Sequence, residues 1–225
     1  MRRLLQLWWM LVRFGFRLLY NELAWTYDLV STIVSLGRWR RWQQAGIDRL
    51  NVTPGQRVLE IAHGTGDTQI DLVDRGFRSI ALDRSVHMGR IARRKLARSG
   101  RAFSLTQGDA AHLPYPDACF DGILSTFPTP FVFESQTIAE AYRVLRPGFR
   151  YVIVANGLLT LNGPVARVLE WVYRITGQRE SLPAEEILER FIQAGFAPEF
   201  VQEELPGSIV MMVVAKKADS GQSDA

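Results

Sequence analysis

Five short apolar runs, Val58–Ala62, Ser79–Asp83, Ala102–Thr106, Phe120–Ser125 and Tyr151–Asn156, are separated by helical patterns that include Thr68–Asp74, Ser85–Arg98 and Ser135–Leu145. Strands this continuously apolar are buried on both faces. Strands joined through helices return in parallel, because a parallel return needs a crossover of about a dozen residues or more. The pattern therefore predicts an α/β architecture, a mostly parallel sheet with helices on both faces. Thr53-Pro54-Gly55 marks the turn into the first strand. After residue 156 the rule changes. Helical patterns cover 163–176 and 183–194, and then Phe200–Leu205 and Ser208–Lys216 flank Pro206-Gly207, a hairpin turn. The sheet should close with an antiparallel strand pair. Residues 218–225 are small and polar and read as a disordered tail.

Charge divides the chain unevenly. Residues 1–50 hold eight arginines against Glu22, Asp28 and Asp48, a net +5, and five of the six tryptophans. Residues 51–225 hold 19 basic and 20 acidic side chains, so the body is nearly neutral. Apolar and aromatic content exclude a disordered chain. Cys119 is the only cysteine, which excludes a disulfide scaffold and fits a reducing compartment. His63, His87 and His112 are scattered, so no metal site is expected.

Residues 2–20, RRLLQLWWMLVRFGFRLLY, form an amphipathic wheel on which Arg2, Arg3, Gln6, Arg13 and Arg17 share one stripe. Arg13 and Arg17 interrupt any transmembrane span, and no small-residue cleavage site follows for a signal peptide. Two readings stand: a helix in the interface of an anionic membrane, or a helix packed on its own domain or a partner. Residues 21–49 continue as one or two helices, with Gly37 and Gly46 as the expected breaks. The layout is thus 1–50 as amphipathic and capping helices, 51–217 as the ligand-binding domain, and 218–225 as tail.

VLEIAHGTGD at 58–67 runs from strand through Gly64 and Gly66 into a helix, a turn that lets backbone approach a ligand. Glu60 and Asp83 stand at the ends of the first two strands, and Asp109 just past the third. All three fall at the carboxyl edge of a parallel sheet, where ligands bind, and Asp83 lies at the spacing of a ribose-binding acid. Gln69 stands where a dinucleotide loop would carry its third glycine, and no phosphate-binding G-x-x-x-x-G-K-[ST] occurs. The loop suits a nucleoside ligand without a pyrophosphate.

These motifs resemble those of the class I S-adenosylmethionine methyltransferases. VLEIAHGTGD is similar to their first motif, ALDRSVHM at 81–88 to the second and QGDAAHLPYPDACFD at 107–121 to the third. EAYRVLRPGFRYVIVA at 140–155 and IQAGF at 192–196 resemble later elements. Within that class, YDLVSTIVSLGRWRRW at 27–42 and RVLRPGFRYVI at 143–153 resemble the two signatures of the ubiquinone/menaquinone C-methyltransferases. Ala62, Arg146 and Phe149 depart from the usual residues.

The resemblance implies a Rossmann-like sheet, S-adenosylmethionine as cofactor and methyl transfer to a small lipophilic acceptor. It implies cofactor contacts from Glu60, Ala62, His63, Gly64, Gly66, Asp83, Arg84, Asp109, Ala110 and Ser125. Asp83 would hold the ribose hydroxyls, Asp109 and the Ala110 backbone the adenine, and Glu60 the ammonium. Tyr27, with Asp28, would cover the cofactor. Thr126, Phe127, Pro128 and Phe131, in the apolar STFPTPFVF stretch after the fourth strand, would line the acceptor pocket. No general base stands out. A quinone-like acceptor, a phospholipid amine and a non-catalytic cofactor-binding role are the competing readings. The expected setting is cytoplasmic, at the inner face of a membrane contacted by residues 1–20, without nucleic acid. A second basic run, Arg84–Arg101, reads either as a solvated helix face or as a second anionic contact.

Overall fold

The computed structural model describes residues 26–160 and 183–219. Helices α1 (Tyr27–Val34) and α2 (Trp39–Arg49) precede β1 (Arg57–Ile61), α3 (Asp67–Asp74), β2 (Arg78–Asp83), α4 (Val86–Arg98) and β3 (Ser104–Gln107). Then come β4 (Phe120–Thr126), a 3-10 turn at Pro130–Phe133, α5 (Ser135–Val144), β5 (Leu145–Leu159), α6 (Ala184–Gln193), β6 (Phe196–Leu205) and β7 (Ser208–Lys217). The expected helix over residues 2–20, the helix at 163–176 and most of the tail lie outside the described residues.

The strands form one sheet in the order β3-β2-β1-β4-β5-β7-β6. Strands β1 to β5 pair in parallel, and β7 runs antiparallel to both β5 and β6. The mostly parallel sheet with its antiparallel end is as expected. The order reverses between β1 and β4, and in open sheets a ligand crevice lies beyond the strand ends at such a switch point.

Both faces are covered. On one, Leu59, Ile61, Ile123, Tyr151, Ile153 and Val213 pack with Ile138 and Val144 of α5 and Ile187 and Phe191 of α6. On the other, Val58, Leu124, Val152 and Val214 meet Ile47 of α2 and Leu72 of α3. Strand residues of alternating parity feed the two cores, which is why the runs read as continuously apolar.

Three boundaries differ from expectation. Strand β5 extends well beyond Tyr151–Asn156. Before it, residues 146–149 bulge between the Phe120↔Leu145 and Gly122↔Arg150 pairs, with Arg146 bonded to the buried Asp121 at 2.6 Å. Beyond it, Asn156–Leu159 continues as a ribbon with β7. Strand β6 begins at Phe196 because its pairing with β7 reaches Lys217. Gly37 does break the helices, at φ +76°. Gly46 does not: it lies inside α2, and a Cβ there would come within 2.3 Å of Val154 Cγ2. Its missing side chain allows close packing and ends nothing.

Helix α2 is bonded to the body at several points. Arg40 meets the nearly buried Asp71 of α3 through both carboxylate oxygens, the shortest contact being 2.6 Å. Arg49 bonds Glu203 of β6 at 2.6 Å. The Trp42 indole is buried against Gly157, where a Cβ would meet the ring at 2.4 Å, and its N–H donates to Ser208 Oγ at 3.0 Å. Among the described residues no helix is long and apolar enough to cross a membrane.

Candidate active site

The loop between β1 and α3 is built on left-handed backbone. Ala62 has φ +64°, Gly64 +53° and Gly66 +86°. A Cβ on Gly64 would meet nothing within 4 Å, whereas one on Gly66 would press on Ala92 of α4 at 3.1 Å. Gly64 thus leaves its backbone open to a ligand, and Gly66 lets α3 start close to α4. Ala62 adopts a glycine conformation with a side chain, at a cost of about 1–2 kcal/mol. Ala62→Gly removes that strain but adds freedom to the unfolded chain, so a net gain of about 0.5–1 kcal/mol is expected in urea unfolding.

Asp83, at the end of β2, ties the loop to the sheet edge. Its Oδ2 accepts from Gly64 N at 2.9 Å and its Oδ1 from Ser85 N at 2.8 Å. Each oxygen keeps acceptor capacity for a ligand hydroxyl. A cleft of about 340 Å³ opens beside it, between His63, Ser85 and Gly89 on one side and Leu105–Gln107 on the other. His63 is buried, and desolvation lowers its pKa, so its imidazole is neutral. Its Nδ1 lies 2.9 Å from Gly64 O, an acceptor only, so Nδ1 carries the proton and Nε2 is left as an acceptor.

Asp109 follows β3. Its Oδ1 accepts from Ala111 N at 3.0 Å, and its Oδ2 stands 4.0 Å from the exposed Arg84. Ala110 beside it is buried in the apolar core. The following segment is fixed by α5. Arg143 donates to the carbonyls of Leu113 and Tyr115 and to Asp117, and Glu140 accepts from Leu113 N at 2.8 Å.

Glu60 and Ser125 differ from what the resemblance implies. Glu60 shares a face of β1 with Val58, so its carboxyl lies beneath α3 and not on the cleft wall. Gln69 donates to its Oε2 at 2.5 Å, while its Oε1 is buried without a partner. Burial pushes its pKa to about 8. Ser125 is buried too, and its hydroxyl bonds Tyr151 Oη at 3.1 Å. Its side chain faces Tyr151 of the neighbouring strand.

The Glu60 proton has a measurable consequence. A carboxyl that titrates near 8 when folded and near 4.5 when unfolded makes stability fall as pH rises between those values. His63, with a depressed folded pKa, gives the opposite slope, but only below its unfolded value of 6.5. Between 6.5 and 8 the Glu60 decline should stand alone among the described residues. Glu60→Gln should flatten the pH dependence of denaturant midpoints across that window.

Two arrangements were not legible as contacts. Asp28 of α1 accepts from Thr65 Oγ1 in the glycine loop at 2.5 Å and from Lys95 of α4 at 2.5 Å, and Lys95 also bonds Asp67 at 2.8 Å. The cover helix is therefore fastened to the loop. Lys95 is one of only three lysines beside 24 arginines, the one signal that could have singled it out. Second, Gln43 of α2 donates to Thr68 Oγ1 at 2.9 Å and Thr126 Oγ1 at 3.3 Å, with its Oε1 buried and unpaired. Tyr27 opens α1. Phe127, at φ +49°, stacks on Trp39 with ring centroids 3.9 Å apart. Pro128 follows it, and Phe131 packs on the core below. Among the described residues no three His, Cys, Asp or Glu side chains are grouped to hold a metal.

This sheet order, with a glycine loop after β1 and acids after β2 and β3, is the architecture of the class I methyltransferases, whose cofactor is S-adenosylmethionine. The residues fit that cofactor: an open glycine loop, a carboxylate with spare acceptor capacity, an adjoining cleft and a buried unpaired amide oxygen on Gln43 suited to an ammonium donor. The model of the ubiE/COQ5 methyltransferase family matches residues 16–194, and the chain belongs to that family. It is similar to the demethylmenaquinone methyltransferases of Thermobifida fusca, 35% identical over 70% of this chain and 67% of that protein, and of Thermus thermophilus, 33% identical over 72% of each. With the relative from Beutenbergia cavernae, 38% identical, the match spans 60% of this chain but only about half (55%) of that protein. Similar folds occur in the YcgJ protein of Bacillus subtilis (TM-score 0.63, 18% identity, covering 79% of this chain and 99% of that one) and in the geranyl diphosphate C-methyltransferase of Streptomyces coelicolor (TM-score 0.60, 13% identity, 78% of each).

Proposed function

We propose that this enzyme moves the methyl group of S-adenosylmethionine to the ring of a quinol-like, lipophilic acceptor at an anionic membrane surface. The observation that carries the acceptor class is the aromatic wall where β4 ends: Phe127, held left-handed, lies flat on Trp39 and 5.9 Å from Trp42. A strained residue beside the expected methyl-donor position is the kind of pre-organisation found at functional sites. Stacked rings favour a planar apolar acceptor over a charged one. The family and the names of the relatives support the same acceptor class.

The cofactor, when bound, supplies a methyl group on a sulfonium, ready for in-line displacement. Asp83 would hold its ribose, the backbone of Gly64 its methionine part, and the Asp109–Ala110 turn its adenine. Gln43 Oε1 would accept from its ammonium. Asp28, through Thr65, keeps the loop closed beneath α1. The aromatic wall excludes water and aligns the acceptor carbon, so the protein's contribution is mainly positioning. Residues 1–20 would bring this site to the membrane at the cytoplasmic face.

The test is methyl transfer from labelled S-adenosylmethionine to a detergent-dispersed demethylated quinol and to extracted membrane lipids. Label in the quinone fraction supports the proposal. Label confined to phospholipid amines overturns the acceptor.

A further inference from the structure

Two strips of exposed side chains lie on bonded helices, one of them along the wall of the cleft. The first is on α4. Arg90, Arg93, Arg94 and Arg98 are exposed, and none has an ion-pair or hydrogen-bond partner among the described residues. They occupy the side of the helix opposite the buried Met88, Ala92 and Leu96, and α4 contains no acid. Arg90, Arg93 and Arg94 also form the outer wall of the cleft. Val86 is exposed one turn before Arg90.

The second strip is on α1. Leu29 is 62% exposed and Ile33 57%, with Leu36 exposed just past the helix. Leu29 and Ile33 are four residues apart, hence on one stripe, and the buried Ser31 and Ser35 lie across the helix. The strips are joined where Lys95 of α4 bonds Asp28 of α1.

Either strip alone has a plain explanation. A charged run is usually a solvated face, and single exposed apolar residues are common. Together they make guanidinium groups without a partner among the described residues, flanked by projecting aliphatic chains, beside the mouth of the cofactor cleft. That is the composition of a surface that lies in a lipid interface, with arginines on phosphates and aliphatic side chains in the acyl boundary. RNA fits less well, because the exposed large hydrophobic side chains described on this face are Leu, Ile and Val, and the single ring on α4 is the His87 imidazole.

We infer that the α1–α4 face is a membrane-docking surface, specific for bilayers containing anionic lipid, which seats the cleft mouth on the membrane. This rests on the acceptor being lipophilic. It adds a contact independent of residues 1–20.

The test is sedimentation of the full chain with vesicles of phosphatidylglycerol and phosphatidylcholine, or of phosphatidylcholine alone. Replacing Arg90, Arg93, Arg94 and Arg98 together by Gln should lower partitioning onto the anionic vesicles at least about tenfold, since each basic residue at such a surface is worth about fivefold. Lysine at the same positions should retain most of the binding. Leu29→Gln with Ile33→Gln should lower it further. Unchanged thermal melts would exclude unfolding as the cause. Unaltered partitioning of the four-Gln variant overturns the inference, as does equal loss on both kinds of vesicle or binding to a single-stranded RNA probe without vesicle binding. The wild-type chain with detergent-dispersed quinol reports on the acceptor alone, so a failure there is separable from a failure of docking.

Discussion

Asp83→Ala is expected to weaken S-adenosylmethionine binding by roughly ten- to a hundredfold in titration calorimetry, with the fold intact. Two losses combine. The cofactor loses a charged acceptor for its ribose hydroxyls, a bond class worth about 1.5–3 kcal/mol, where each ~1.4 kcal/mol is tenfold. The loop also loses its own tether, because the same carboxylate holds the N–H groups of Gly64 and Ser85. Asp83→Asn should fall between, since its amide keeps one acceptor oxygen where the carboxylate has two. An affinity unchanged in the alanine variant would remove Asp83 from the binding site and leave it as a loop anchor.

Trp42→Ala should be the most damaging single substitution in the cap, costing about 3–5 kcal/mol in urea unfolding. The indole is fully buried, fills the space left by Gly157 and touches the cluster formed by Val154, Val210 and Met212. Its loss opens a cavity and strips Ser208 Oγ of its donor. Because α2 also carries Trp39 and Gln43, the damage should reach the acceptor wall, and residual activity should drop more than cofactor affinity. Trp42→Phe retains much of the buried area and should lose markedly less. Equal stability for wild type and the alanine variant would mean that the cap is not seated on β5 and β7 as described.

The sheet was legible because its strands are buried on both faces, so their apolar runs stand out whatever the loops do. The glycine loop and the acids after β2 and β3 were legible because backbone geometry and strand ends leave short local patterns. What stayed hidden depends on contacts far apart in sequence. Glu60 and Ser125 look like edge residues in their motifs, yet the face of the strand each occupies turns them into the body. Gly46 looks like a helix break until Val154, more than a hundred residues later, is known to press on it. The hold of Asp28 on the glycine loop needs Lys95, and no local pattern links the two.

Three of the bonds at α2 join residues 154 to 168 positions apart: Arg49 to Glu203, Trp42 to Ser208 and Arg38 to the Pro206 carbonyl. Chains are made from the N-terminus, and long-range closures come late in folding. The cap is therefore made before β6 and β7 and completes its seating only after them. Until β6 and β7 emerge, Trp42 lacks the Ser208 acceptor and the Val210 and Met212 contacts that complete its burial. Damage to the hairpin around Pro206-Gly207 should consequently appear as a defect in the seating of α2.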